Sequence, residues 1–177
     1  MTQVAEGARP ERLTTERLVL RRIVPGDVEA MVALHKDPDA VRYRPEGVGD
    51  PEYSRMLFSA WLDHWAEFGF GYWAIELAGT KELAGFGGMQ MAFGEWTGTY
   101  LNVFYRLFPR FWGRGYAPEM VNAAIDWASR TYPELPIFII TPTVNASARR
   151  VAEKVGFTQV REANFQGALN CFFQLPG

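Results

Sequence analysis

The sequence has one cysteine, Cys171, so no intrachain disulfide can form. A free cysteine behaves as a small hydrophobe, and Cys171 is expected as a plain strand residue. Histidine is scarce too, with only His35 and His64. One thiol and two imidazoles give little material for a metal site, and no metal is expected. A surplus of positive charge is also missing. Lys and Arg total 18 against 20 Asp and Glu, a formal net charge of −2. Nucleic-acid binding draws on a basic face or stripe, so no nucleic-acid partner is expected. No apolar run is long enough to span a bilayer. Met1 to Arg9 is polar and lacks the apolar segment of a signal peptide. The expectation is a cytoplasmic chain with no membrane partner.

Aromatic residues, by contrast, are abundant. There are six Trp, seven Tyr and thirteen Phe, many of them between Phe58 and Phe111. Aromatic side chains dominate most cores, so one reading is a large aromatic core. The other is an aromatic pocket for a flat or apolar ligand, with Trp61, Trp65, Tyr72 and Trp73 as its candidates.

At 177 residues the chain fits one domain. Residues 1–11 read as a flexible tail and 12–177 as the domain. Leu18 and Leu20 alternate with charged neighbours, which predicts a strand over 12–24. Asp27 is placed to cap a helix to Lys36, with Val28, Met31, Val32 and His35 on one face. A second helix is expected over 51–68, where Leu57, Trp61, Leu62 and Trp65 share a face. Strand patterns follow at 72–77, 83–91 and 100–108, the first two joined by a hairpin signal at Gly79-Thr80-Lys81. The clearest helix is 116–130, with Met120, Val121, Ala124, Ile125 and Ala128 as its apolar stripe. A short apolar strand is expected at 136–140, then a helix from Asn145 to about Val155, then strands at 157–161 and 168–175. This order predicts an α/β (α+β) domain: a mixed, mostly antiparallel sheet of about seven strands with helices on both faces.

The segment Pro109-Arg110-Phe111-Trp112-Gly113-Arg114-Gly115-Tyr116-Ala117 lies between a strand and the clearest helix. Two glycines two apart let the backbone turn sharply. The free N–H groups of the first helical turn then face outward and can hold an anion. Each dipole interaction contributes roughly 0.3–1 kcal/mol, so a pyrophosphate needs several donors. A dinucleotide fingerprint would need a third glycine where Pro118 stands, and the lysine of a Walker motif is absent. A simple strand-to-helix turn is the alternative.

Arg110-x-x-Gly113-x-Gly115 resembles the pyrophosphate motif of the GNAT superfamily, Gln/Arg-x-x-Gly-x-Gly/Ala. The longer run Phe111 to Glu119 resembles the branch containing the Rim-type ribosomal-protein N-terminal acetyltransferases. Leu13-Thr14-Thr15-Glu16-Arg17-Leu18-Val19-Leu20-Arg21 is similar to that branch's opening strand. Asn145 to Phe157, Asn-Ala-Ser-Ala-Arg-Arg-Val-Ala-Glu-Lys-Val-Gly-Phe, is similar to its second cofactor helix and the turn after it.

The resemblance implies a GNAT fold with a V-shaped splay between the fourth and fifth strands, where the strand ending Tyr105-Arg106-Leu107 bulges. Acetyl-CoA would lie in that cleft as co-substrate. The backbone at Tyr105, Arg106 and Leu107 would pair with the pantetheine arm, and one N–H there would face the thioester oxygen. Arg110, Gly113, Arg114, Gly115, Tyr116 and Ala117 would hold the pyrophosphate. Asn145 would contact pantetheine and cap its helix, Arg150 would reach a phosphate, and Ser147 would bond the cofactor or the departing sulfur. Many relatives carry an acid Tyr where Ala152 stands, so Ser147 is the candidate general acid. Asn102 replaces an acidic residue common in the branch, leaving the base unassigned. His64, Glu67 and Glu95 are candidates.

These readings imply an N-acetyltransferase acting by direct attack of an amine in a ternary complex. The acceptor would be a small amine or a peptide or protein N-terminus. The alternative is a non-catalytic module that binds acyl-CoA or a partner. The oligomeric state, a homodimer included, is left open.

Overall fold

The structure, a computed structural model, describes residues 10–177. Strands β1 (Arg12–Thr14) and β2 (Leu18–Arg22) come first. Helices α1 (Val28–Lys36) and α2 (Pro51–Phe68) follow, then β3 (Tyr72–Leu77), β4 (Leu83–Gly94) and β5 (Gly98–Leu107). After these come α3 (Tyr116–Thr131), β6 (Ile137–Pro142), α4 (Ala146–Lys154), β7 (Thr158–Phe165) and β8 (Ala168–Gln174). One sheet holds all eight strands in the order β1-β2-β3-β4-β5-β6-β8-β7. Only the β5–β6 pair is parallel.

The sheet has one strand more than the sequence pattern separates, because the run over 12–24 is a hairpin. The Thr15 hydroxyl accepts from the Leu18 N–H, and the Thr15 N–H donates to the Leu18 carbonyl. That turn interrupts an alternation that otherwise reads as one strand. Asp27 does not cap α1 as expected. It sits in a short 3-10 turn, Pro25–Asp27, where both its oxygens pair with Arg21 at 2.8 Å and one accepts the Val24 N–H. A bidentate guanidinium is a stronger partner than a helix N–H. Asp50 does cap α2, accepting from the Glu52 N–H with Pro51 behind it.

Adjacent residues of a strand face opposite sides of the sheet. Phe86 of β4 packs edge-on to Phe58 of α2, ring centroids 6.0 Å apart. A Cβ on the next residue, Gly87, would stand 2.9 Å from Met120 of α3. The two long helices therefore cover opposite faces. Part of the aromatic content fills the space between α2 and the sheet, where Phe58, Trp65 and Phe86 are fully buried, while the equally buried Phe70 and Trp73 pack against Trp127 of α3, ring centroids 5.0 and 5.9 Å apart.

Residues 1–9 of the expected tail lie outside the described residues. Pro10 is buried and its carbonyl accepts from the Trp73 indole, while Glu11 pairs with Arg22 at 2.9 Å.

The sheet opens between β5 and β6, the pair that corresponds to the fourth and fifth strands of the sequence pattern. They pair only at Leu101↔Ile137, Asn102↔Phe138 and Val103↔Ile139. Beyond that, Phe104–Leu107 stays on β4, and Ile140–Pro142 stays on β8. The expected bulge in β5 is absent from its ladder with β4, whose register is unbroken from Gly94↔Gly98 to Gly85↔Leu107. The strands part because each follows its antiparallel neighbour.

Candidate functional site

Two cavities meet where β5 and β6 part. One, about 480 Å³, lies on the side of α3 and α4. The other, about 780 Å³, lies under α2, the loop before it and the β7–β8 turn. Val103, Phe104, Ile140 and Pro142 line both, so the splay is a passage between them.

The first cavity ends at the turn before α3. Gly113 has φ 72° and Gly115 φ 79°, values that glycine adopts without side-chain strain. Gly115 is the N-cap of α3 and supplies no side-chain cap. A Cβ at Gly113 would meet nothing within 4 Å, so the turn faces open space. The turn is braced from the β1–β2 hairpin. Arg17 donates to the Arg114 carbonyl at 2.8 Å and to Glu119 at 2.7 Å, and its guanidinium lies over the Tyr116 ring. Glu119 also accepts from the Thr15 hydroxyl and the Arg17 N–H. Burial pushes the Glu119 carboxyl upward, but these hydrogen bonds and the Arg17 charge outweigh it and hold the pKa below the ordinary value.

Ten of the residues expected around a cofactor line this cavity: Tyr105, Arg106, Leu107, Gly113, Gly115, Tyr116, Ala117, Asn145, Ser147 and Arg150. Arg110 and Arg114 do not. The Arg110 guanidinium turns back to Glu82 at 3.3 Å and stacks on Phe108 and Phe111. Arg114 lies over the Phe111 ring. The Leu107 carbonyl already accepts from the Trp112 indole at 2.9 Å, which occupies one of its two lone pairs.

Asn145 caps α4, accepting from the Ala148 N–H at 3.1 Å, and its Oδ1 also accepts from the Ser147 hydroxyl at 2.9 Å. Ser147 is exposed to the cavity. Ala152, the position the resemblance matched to an acid Tyr, is fully buried in the core.

A second set of expectations fares differently. Trp61 and Tyr72 line the larger cavity, as expected of an acceptor pocket. Trp65 and Trp73 do not; they are core residues behind it. The Trp65 indole donates to the Tyr72 carbonyl and the Trp73 indole to the Pro10 carbonyl, both at 2.9 Å. A helical stripe spaced by three and four residues is wider than one pocket wall, so Trp61 and Trp65 part company. His64 is not a base. Its Nε2 accepts from the Met91 N–H, which leaves Nδ1 to donate to the Phe70 carbonyl. Burial is the main cause holding its pKa below the ordinary value, and neither nitrogen is free. Glu67 and Glu95 are exposed and line neither cavity.

The larger cavity also contains groups that residue spacing does not reveal. Asn102 donates its amide to the Tyr72 hydroxyl at 3.1 Å. Arg106 reaches His35 on α1, Nη1 to Nε2, at 3.0 Å. Arg44 and Tyr43 enter from the loop before α2 and line both cavities. Among the described residues no cluster of three or more His, Cys, Asp or Glu is placed to hold a metal ion. No described helix is long and apolar enough to cross a membrane.

An acetyltransferase (GNAT) domain family model matches residues 17–158. The chain belongs to the GNAT acetyltransferase family. It is 26% identical over 146 residues to the uncharacterized N-acetyltransferase YoaA of Bacillus subtilis, covering 82% of this chain and 81% of that one. An acetyltransferase structure from Agrobacterium tumefaciens is 27% identical with a TM-score of 0.81, covering 94% of each chain. RimL, a ribosomal-protein α-N-acetyltransferase solved with coenzyme A, shares the fold at 18% identity and a TM-score of 0.73, covering 92% of this chain and 95% of that one. The splayed β5–β6 seam, with α3 and α4 flanking it, is thus part of a GNAT fold.

Proposed function

We propose that this GNAT enzyme moves an acetyl group from acetyl-CoA to the amine of a small-molecule acceptor. The observation that carries the reading is the meeting of two cavities at the β5–β6 seam. One is long and has a glycine turn with an uncapped helix start; the other is wider and aromatic. The site residues fit acetyl-CoA. The first-turn N–H groups of α3 suit a pyrophosphate. The Tyr105 hydroxyl is buried beside that cavity with no hydrogen-bond partner. The Phe104–Leu107 edge has no strand partner on the β6 side, as an added extended chain would require.

The amine lone pair attacks the thioester carbonyl carbon directly. The C–N bond forms, the C–S bond breaks, the ammonium loses its proton and the thiolate gains one. A β5 backbone N–H at the seam faces the developing oxyanion. Ser147 is the hydroxyl on α4 nearest in role to a proton donor, and it must turn from Asn145 to act. Among the described residues lining the larger cavity the one carboxylate, Glu46, is paired with Arg44, so an amine that enters uncharged, or loses its proton to water, suits the site. The lone thiol, Cys171, is fully buried and lines neither cavity, which favours direct attack over an acyl-enzyme.

Initial rates with both substrates varied test the reading, followed by thiol release. Intersecting lines in double-reciprocal plots support a ternary complex; parallel lines overturn it. Acetyl-CoA binding without thiol release from any amine would favour a non-catalytic binding module.

A further inference from the structure

Among the described residues the larger cavity is lined by two arginines, Arg44 and Arg106, and by one carboxylate, Glu46. Arg106 lies mostly buried on β5, and burial, with the Arg44 charge beside it, lowers its pKa to about 10. Among the described residues no carboxylate forms an ion pair with it. Its hydrogen-bond partner is His35. A guanidinium has no acceptor, so His35 Nε2 must accept and its proton must sit on Nδ1. Nδ1 then donates to the Ser54 hydroxyl at 3.0 Å, and Ser54 donates to the Asp50 carbonyl at 3.1 Å. This relay keeps His35 neutral and aims Arg106 without neutralising it.

Arg44 repeats the pattern. Its side chain is only 10% exposed, and its partner Glu46 is 58% exposed and 3.6 Å away. Arg44 Nη1 is buried with no hydrogen-bond partner, and so is Gln90 Nε2 in the same cavity. Both orphaned atoms are donors. Glu46 is the only acid among the described residues lining this cavity. A buried cation left without a counter-charge is costly, and a ligand that brings the charge removes that cost. Beside the arginines stands an aromatic wall. Tyr72 lies 5.0 Å from Trp61 and 4.9 Å from Phe104, centroid to centroid.

Resting on the acetyltransferase reading above, we infer that the acceptor is a small aminocarboxylate with an apolar or aromatic side group. Its carboxylate is held by Arg106 and Arg44, and its side group lies against Trp61, Tyr72 and Phe104. Its amine reaches the seam at Phe104 and Ile140. A polyamine or a basic peptide N-terminus would bring positive charge to two arginines.

The test uses the full chain and the standard amino acids, each beside its carboxamide and its decarboxylated amine, with spermidine as a cationic probe. Thiol release measures turnover, and calorimetry in the presence of CoA measures acceptor binding. At least one acid, aromatic or apolar, is expected to exceed both its partners by about tenfold or more in kcat/KM. Arg106→Met and Arg44→Gln should each raise its KM by about tenfold and remove the preference over the carboxamide, a larger effect than either has on acetyl-CoA affinity. The comparison within the natural chain stands even if a variant fails to fold. Thiol release that favours spermidine or the carboxamides, or shows no preference in any set, overturns the aminocarboxylate site and leaves the transferase reading standing. Carboxylate-dependent binding without thiol release does the opposite. An equal or larger loss of acetyl-CoA affinity in both arginine variants would assign the arginines to the cofactor and overturn the inference.

Discussion

Arg17 Nη2 lies 2.6 Å from Glu119 Oε2, although the two residues are 102 positions apart. The pair ties the β1–β2 hairpin to the first turn of α3, and the same guanidinium holds the Arg114 carbonyl between the two glycines. The glycine turn before α3 is therefore shaped from outside its own segment. Glu119→Ala should weaken acetyl-CoA binding by about fivefold, near 1 kcal/mol, by loosening that turn. Titration calorimetry gives the number, and an unchanged dissociation constant would show that the turn keeps its shape without the brace.

Gly115 carries two constraints at once. Its φ is 79°, and a Cβ there would stand 3.3 Å from Arg17 Nη2. Gly115→Val should cost about 1–3 kcal/mol of stability through backbone strain and also lower acetyl-CoA affinity by displacing the brace. Gly113→Ala shares the strained φ but meets no neighbour, so its binding defect should be the smaller. Urea unfolding and calorimetry on both variants separate the effects; equal binding losses would argue against a role for Arg17.

Ser147 donates to Asn145, and in the proposed acid role it would have to be released to protonate sulfur. A hydroxyl that matters only as the C–S bond breaks affects turnover rather than binding. Ser147→Ala should slow turnover about tenfold, the low end of general-acid effects because a thiolate leaves readily. Acetyl-CoA affinity should hardly change, since Asn145 keeps the Ala148 N–H. Unchanged turnover would leave the proton to water. Ala152→Tyr should not rescue the loss, and should destabilise the fold, because Ala152 has no exposed surface.

Stability should fall as pH drops through 6.5. Burial, followed by the Arg106 and Arg44 charges, lowers the His35 pKa to about 3. The folded state keeps His35 neutral while the unfolded chain takes up a proton below about 6.5, so the unfolded state gains on acidification. At pH 5.5 this single group costs about 1.4 kcal/mol. His64, also held below its ordinary value, adds in the same direction. Urea unfolding at several pH values should show a shallower slope for His35→Gln than for the natural chain; equal slopes would mean that His35 is protonated in the fold.

Most elements were legible because their signals are local. The Met120–Ala128 stripe, the Pro51 start and the glycines at 113 and 115 each depend on a few neighbouring residues. What escaped was long-range. Thr15 reads as a strand residue until its hydroxyl is seen turning the chain. Asp27 reads as a cap until Arg21 is beside it. His35 reads as part of an apolar helix face, and only the fold brings it to Arg106, 71 residues away. Arg44 lies in a proline- and glycine-rich loop with no periodicity to read. Trp65 and Trp73 look no different in sequence from Trp61, yet one turn of helix or one strand register decides which ring meets the cavity.

The β5–β6 seam gives this enzyme a sheet like a zipper closed over three teeth and open beyond. Strands β6, β7 and β8 hang from the rest by that short closure. An extended ligand chain laid along Phe104–Leu107 would act as a borrowed strand, joining two half-sheets that the polypeptide leaves apart. Loading such a molecule would complete the architecture, and releasing it would leave the split open again.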